Sequence, residues 1–316
     1  AYEIMPSLVG SEMCIRDSDN NVALGYQALY ACTSGTKNTA VGSLAMDSQT
    51  TADYNTGVGY NVLNSCTTGS RNTGLGVWAM GDNTTGYYNV GVGYEALYAQ
   101  STAYYNTAVG YKVAKAMTTG HSNTAVGARA LSLNTTGHTN TALGDTALYN
   151  NTTGFANTVV GYWAGNTSTD CDNCTIIGQS ALSSAASVDN EITLGNSSIS
   201  SLRCQVTSIT SLSDERDKTD IVDLPVGLDF VNTLRPIKFK WQTREGTNKD
   251  GTERAGFTAQ QLKSAQTDAT ADYMNLVYES NPDKLEASYG NLIPVLVQAI
   301  KDLSAEVSVL KSALGA

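Results

Sequence analysis

Hydrophobic and polar positions between Asn21 and Gly195 repeat every 17 residues, and the unit reads N-T-A-V-G-Y-x-A-L-x-x-x-T-T-G-x-x. Eleven glycines, from Gly25 to Gly195, keep the step, and nine asparagines, from Asn21 to Asn157, keep it four residues earlier. An aliphatic residue precedes every one of these glycines, from Leu24 to Leu194. Uninterrupted repetition of this kind predicts a solenoid. Seventeen residues are too few for a helix pair, and the Val, Thr, Tyr and Gly content favours strands, so each coil should hold two short strands and two turns. Coils stacked at about 4.8 Å would make a parallel β-roll on the order of 50 Å long. Residues of one phase then lie over each other. The Asn column should bond side chain to side chain between coils. The small Ala/Gly column should leave room for close backbone approach. Such a coil encloses little more than one aliphatic residue and an Ala-Leu pair, too little to offset backbone entropy of about 1–2 kcal/mol per residue. Trimerisation around a shared axis is therefore expected.

The clock stops near residue 200. Residues 19–200 carry 5 Lys+Arg and 10 Asp+Glu, whereas residues 201–316 carry 13 and 16. A small α+β domain is expected there, at 213–288, after a neck at 201–212 in which Cys204–Thr210 reads as a short strand. At the C-terminus, Tyr289, Ile293, Leu296, Ile300, Leu303, Val307, Leu310 and Leu314 alternate steps of 4 and 3. That is an a/d seam over 289–316, suited to a trimeric coiled coil or to a helix packed on its own domain.

Charged residues are only 15% of the chain and the formal charge is −10, which argues against sequence-independent nucleic-acid binding. No run of about 18 apolar residues exists, so no membrane insertion is expected. Six cysteines in 316 residues do not make a disulfide scaffold. Cys171 and Cys174 read as a structural thiol pair or a local disulfide. Cys32 and Cys66, two coils apart, are too distant to bond. No cofactor and no metal are expected.

Tyr87, Tyr104, His121, His138 and Phe155 share one phase beside the T-T-G turn. Tyr54, Tyr88 and Tyr105 follow one phase later, and Tyr26, Tyr60, Tyr94, Tyr111 and Tyr162 form another column. An aromatic ladder of this kind suits either glycan binding or ring-on-ring stacking for stability. Gly57-Val58-Gly59 and its counterparts look like phosphate loops, but they follow the 17-residue clock and open no helix.

Ser213-Asp214-Glu215-Arg216-Asp217-Lys218 reads as a helix N-cap at Ser213 without a capping box, because Arg216 occupies the fourth place. If Ser213 is instead a nucleophile, its base cannot be histidine, since none follows His138. Lys218 is the nearby candidate, provided that burial or a cation such as Arg216 keeps its amine neutral.

Two resemblances extend this reading. The repeats resemble the heads of trimeric autotransporter adhesins, whose N-x-x-x-G coils form parallel β-rolls packed three around an axis. They are still more similar to N-T-A-V-G-Y-x-A-L repeats of marine phage tail fibres. An intertwined triple β-helix is the structural rival. From Ser213 onward, S-D-x-R-x-K, Leu234-Arg235-Pro236 with Phe239 and Trp241, Gly256-Phe257-Thr258-Ala259-Gln260 and Tyr289-Gly290-Asn291-Leu292-Ile293-Pro294 occur in order. This resembles the endosialidase-type intramolecular chaperone of phage tailspikes and tail fibres. The resemblance implies a homotrimer, a Ser213–Lys218 dyad and single-turnover self-cleavage of the Leu212–Ser213 bond, with no action on external substrates.

Residues 1–18, including Cys14, resemble a translated sequencing adapter and read as non-native or disordered, with the natural N-terminus missing. The whole then reads as the distal part of a phage tail fibre in the virion, binding a host glycan or protein receptor or acting as a spacer. The alternative is a bacterial surface adhesin or extracellular fibre with the same chaperone.

Overall fold

The structure is a computed structural model and describes residues 20–199, 201–203, 213–240, 251–279, 281–283 and 285–314. The chain divides into two compact units, Ala1–Ser197 and Ser198–Ala316. The expectations placed on 1–18, on 204–210, on Leu212 and on Trp241 lie outside the described residues.

The second to fourth residues of each unit form a three-residue strand, from β1 (Val22–Leu24) to β11 (Ile192–Leu194). All eleven pair in parallel and in sequence order, Thr39 against Thr56 and Thr56 against Thr73, one repeat apart. Pairing of neighbouring coils within one chain makes this a solenoid, not an intertwined triple helix.

Each coil holds one strand rather than the expected two. The stretch after the clock glycine passes through left-handed residues in the seventh and ninth places, such as Gln27 (φ 55°) and Leu29 (φ 52°), then Trp78 (60°) and Met80 (52°). That backbone costs on the order of 1 kcal/mol or more per non-glycine residue. Inter-coil bonds offset it. Leu29 N–H donates to Ala45 O at 3.0 Å and Leu44 N–H to Tyr26 O at 2.8 Å, so the ladder continues where no strand exists. The clock glycines bend the chain at φ from +83° at Gly195 to +145° at Gly110. A Cβ on Gly76 would lie 2.6 Å from Gly93 O, so glycine is required there by conformation and by space.

The core also differs from expectation. Strand alternation turns the middle residue inward, so Ala40, Ala108 and Ala125 are buried with Ala45, Met46, Leu63, Met80 and Leu97. The aliphatic residue before each glycine points outward instead, and Leu24, Val58, Val109, Val126, Leu143, Ile177 and Leu194 are exposed. The small column is therefore core. In it Gly57 leaves the room that the Met46 and Val62 side chains fill.

Buried asparagines join the coils. Each Oδ1 from Asn21 to Asn157 accepts the main-chain N–H of the residue one repeat on, at 2.8–3.0 Å. Each Nδ2 donates across its own coil to the carbonyl fourteen residues on, at 2.6–2.9 Å. The ladder is thus chiefly side chain to backbone, with direct amide–amide bonds such as Asn106 to Asn89 at 3.2 Å added. Cys174 takes the Asn place in the tenth coil, and its thiol donates to Val188 O, again fourteen residues on, at 3.2 Å. Cys171 and Cys174 are thus buried thiols rather than a disulfide. Burial pushes the Cys66 thiol up to about 12.

The second unit is built on α1 (Leu228–Thr233), the antiparallel pair β12 (Ile237–Lys240) and β13 (Glu253–Gly256), and α2 (Ala259–Asp268). It continues with the antiparallel pair β14 (Val277–Tyr278) and β15 (Glu286–Ala287), then α3 (Ile293–Leu314). Phe230, Leu262, Leu276, Leu292 and Val295 share its core. Helix α3 packs on that core through Val295 and Ala299, yet Ile293, Leu296, Ile300, Leu303, Val307, Leu310 and Leu314 are all exposed. The apolar seam and the face packed on the domain are therefore different faces of one helix. Tyr289, the first residue of the expected seam, sits instead on a 3-10 turn, Tyr289–Leu292. None of the helices among the described residues is long and apolar enough to cross a membrane.

Replacing Asn106 by Ala would leave Gly120 O and the Asn123 N–H without their partners. At about 1–3 kcal/mol for each buried orphan, the first unit should lose roughly 2–5 kcal/mol in denaturant unfolding. Thr107→Ala, one residue away on the exposed strand face, should stay within about 1 kcal/mol. Equal effects would contradict the role given to the ladder.

Candidate functional site

The aromatic column expected from phase is present as one continuous stack. Tyr87, Tyr104, His121, His138 and Phe155 follow each other at ring-centroid spacings of 5.2, 4.8, 4.8 and 4.9 Å, with interplanar angles of 4–16°. The coil rise sets this spacing, and the inner ring faces are covered by neighbouring rings. The next column stacks Tyr88 on Tyr105 at 5.2 Å and sets the Arg71 guanidinium over both Tyr54 and Tyr88. Nδ1 of His121 bonds Ser122 Oγ at 3.3 Å, and Nδ1 of His138 bonds Thr139 Oγ1 at 3.2 Å. Among the described residues, no group of three or more His, Cys, Asp or Glu is arranged to hold a metal.

The S-D-x-R-x-K hexapeptide forms a single 3-10 turn, Glu215–Asp217. Its N-cap is Asp214 and not Ser213, because Asp214 Oδ1 accepts the Arg216 N–H at 2.9 Å. At the other end, extended Lys218 closes the turn by donating its N–H to Glu215 O at 3.1 Å. The turn therefore lies between residues 213 and 218. Lys218 Nζ lies 2.7 Å from Ser213 Oγ and 3.4 Å from Ser213 O. A nucleophile and a base within hydrogen-bond reach are the geometry that serine activation needs. Residues 213–218 are all exposed in the single chain.

Arg216 does not act as a free cation beside Lys218. Its guanidinium grips Asp214 through Nε at 3.0 Å and Nη2 at 2.5 Å. That pairing holds the Asp214 carboxyl below the usual carboxylate range and the Arg216 guanidinium above its own.

The remaining motif residues build the scaffold. Tyr289 Oη accepts the Phe257 N–H at 3.1 Å and donates to Phe257 O at 3.0 Å, closing both main-chain groups of one residue. A Cβ at Gly256 would meet that hydroxyl at 2.7 Å. Thr258 Oγ1 caps α2 by accepting from Gln261 N at 3.3 Å, and Asn291 Nδ2 donates to the carbonyls of Met274 and Asn275 at 3.1 and 2.9 Å. Pro294 falls in the first turn of α3, where its missing N–H costs nothing. The Tyr289 clamp escaped the sequence reading because its spacing fits the heptad seam. The glycine at 256 was the available signal.

Residues 213–271 match the family model described as chaperone of endosialidase. The match begins at Ser213 itself. No curated protein and no solved structure matches the chain.

The stacked histidines generate a pH dependence. Burial first, and His138 second, hold the His121 imidazole below its ordinary value. The unfolded chain then binds more protons near pH 6.5, so stability is full above that pH and falls as pH drops through the folded value. The first unit's melting temperature should fall between pH 7.5 and 5.5, and His121→Phe, which keeps a ring in the stack, should reduce that fall. An unchanged pH slope would show that protonation is not felt there.

Proposed function

We propose that this chain is the distal part of a phage tail fibre, a homotrimeric β-solenoid folded by its C-terminal intramolecular chaperone, which then releases itself by cutting the Leu212–Ser213 bond. The observation that carries this reading is the 2.7 Å contact between Lys218 Nζ and Ser213 Oγ at the first residue of the chaperone match. Two surfaces support the trimer. The first unit bears an outward aliphatic stripe, one residue per coil, exposed in seven coils and half-buried at Val41, Leu75, Val92 and Val160, and the second bears the exposed seam of α3, with Ile300 exposed to 67% and Leu314 to 82%. Strand propensity does not account for the stripe, since Thr serves the other outward strand position in most coils. A column that stays aliphatic in all eleven coils is explained by a second copy of the chain covering it.

The chemistry follows from adjacency. Ser213 Oγ attacks the carbonyl carbon of Leu212 while Lys218 takes its proton. The Leu212–Ser213 C–N bond breaks as the proton passes to the Ser213 nitrogen, leaving an ester on Oγ. Water then hydrolyses the ester, giving a carboxylate on Leu212 and freeing the Ser213 hydroxyl. A neutral Lys218 requires burial, which association of three chains would supply. Release would then wait for assembly.

In the tail-fibre reading the stacked column meets a host glycan or protein receptor along its outward edges, because the inner ring faces are occupied. The resemblance of the repeats to adhesin heads also supports a bacterial surface fibre, and the open reading frame upstream would separate the two contexts.

Expressed in full, the wild type should give two fragments split before Ser213, and Ser213→Ala and Lys218→Ala should each remain full length and trimeric by sedimentation. Cleavage of the Ser213→Ala chain at the same bond would remove the dyad from the account. Ile300→Asp with Leu303→Asp should leave slower-sedimenting, unassembled chains. A persisting trimer would show that the seam does not hold it.

A further inference from the structure

The 3-10 turn that separates the two dyad members buries none of its residues, so no packing fixes its shape. Polar contacts alone hold it, and most of them meet at one side chain. Asp214 accepts the main-chain N–H of Arg216 at 2.9 Å, its Nε at 3.0 Å and its Nη2 at 2.5 Å, while Asp214 O accepts the Asp217 N–H at 3.2 Å. Lys218 reaches Ser213 from the far end of this turn with a long side chain that otherwise has many rotamers open to it. The separation of Nζ and Oγ therefore depends on how tightly residues 214–217 are wound.

Resting on the self-cleavage reading above, we propose that Asp214 and Arg216 are positioning residues: the Asp214 cap on the Arg216 N–H winds the turn, the Arg216 guanidinium braces that cap, and together they hold Lys218 Nζ against Ser213 Oγ. Neither touches the Ser213 hydroxyl, and their own pairing leaves Lys218 as the side chain bonded to it. An exposed ion pair adds little to global stability, whereas loosening a near-attack geometry lowers rate steeply. The two effects separate cleanly. Loss of the cap should slow cleavage without changing melting temperature or assembly.

The substitutions distinguish winding from charge. Asp214→Ala and Asp214→Asn both remove the negative charge, but Asn keeps an Oδ1 that can still cap the Arg216 N–H. In the full-length chain, Asp214→Ala should slow self-cleavage about tenfold, Asp214→Asn should stay within about threefold of wild type, and Arg216→Ala should fall between them. A second readout does not need cleavage. A full-length Ser213→Cys chain, purified uncut at pH 5, is treated with iodoacetamide at stepped pH. Asp214→Ala in that background should move the alkylation midpoint up by on the order of one pH unit as the Lys218 contact loosens, whereas Asp214→Asn should leave it in place. If the wild type fails to cleave but the midpoint responds in this way, the self-cleavage reading falls and the positioning role stands. Equal behaviour of Ala and Asn in both readouts overturns the positioning role, and so does a midpoint that ignores Asp214, whether or not the wild type cleaves.

Discussion

A buried asparagine amide is the interaction on which the first unit depends. Its Oδ1 takes the N–H of the next coil and its Nδ2 spans its own coil, so one side chain sets both the closure of a turn and the stacking of the next. An inserted residue would pull the following Asn off its acceptor and leave buried groups orphaned, which accounts for the identical length of the nine units that carry the Asn. The same constraint explains why the left-handed residues are tolerated. Their backbone is held from above and below by inter-coil bonds that the ladder keeps in register.

Much of this was legible in the sequence, because a periodic chain declares its columns. The Gly, Asn and aromatic phases lie where the 17-residue step puts them. Side orientation was harder to read. Val looks like core and Ala like filler, yet a three-residue strand has one inward position, and alanine or glycine holds it in the first eight coils, with Val159 and Ile176 taking it in the next two. The single strand per coil left no compositional trace, since Gln27, Leu44 and Trp78 carry positive φ without being residues that favour it. In the second unit the Ser213–Lys218 pair was legible, whereas the pairing of Arg216 with Asp214 was not. Three charges within three residues can pair in several ways, and only the turn decides between them.

The two units share one property that composition hides. Each leaves an apolar row largely in solvent, the pre-glycine aliphatics in the first and the α3 seam in the second. In the proposed reading, a lone chain with both rows uncovered is poorly placed to persist, and Ser213 and Lys218, both exposed, lack the dry surroundings that self-cleavage would need. On that proposal, covering the rows and drying the pair would be one event. In that view the cleavage site works as an assembly sensor.

Coupling of release to assembly is the central claim, and the rate of self-cleavage against chain concentration tests it most directly. Freshly diluted full-length chain would be followed by gel for the appearance of the fragment beginning at Ser213, with sedimentation on the same samples. The account predicts that cleaved fraction tracks the trimeric fraction, rising steeply with concentration and vanishing in dilute monomer. First-order cleavage at one rate in monomer and trimer alike would contradict it.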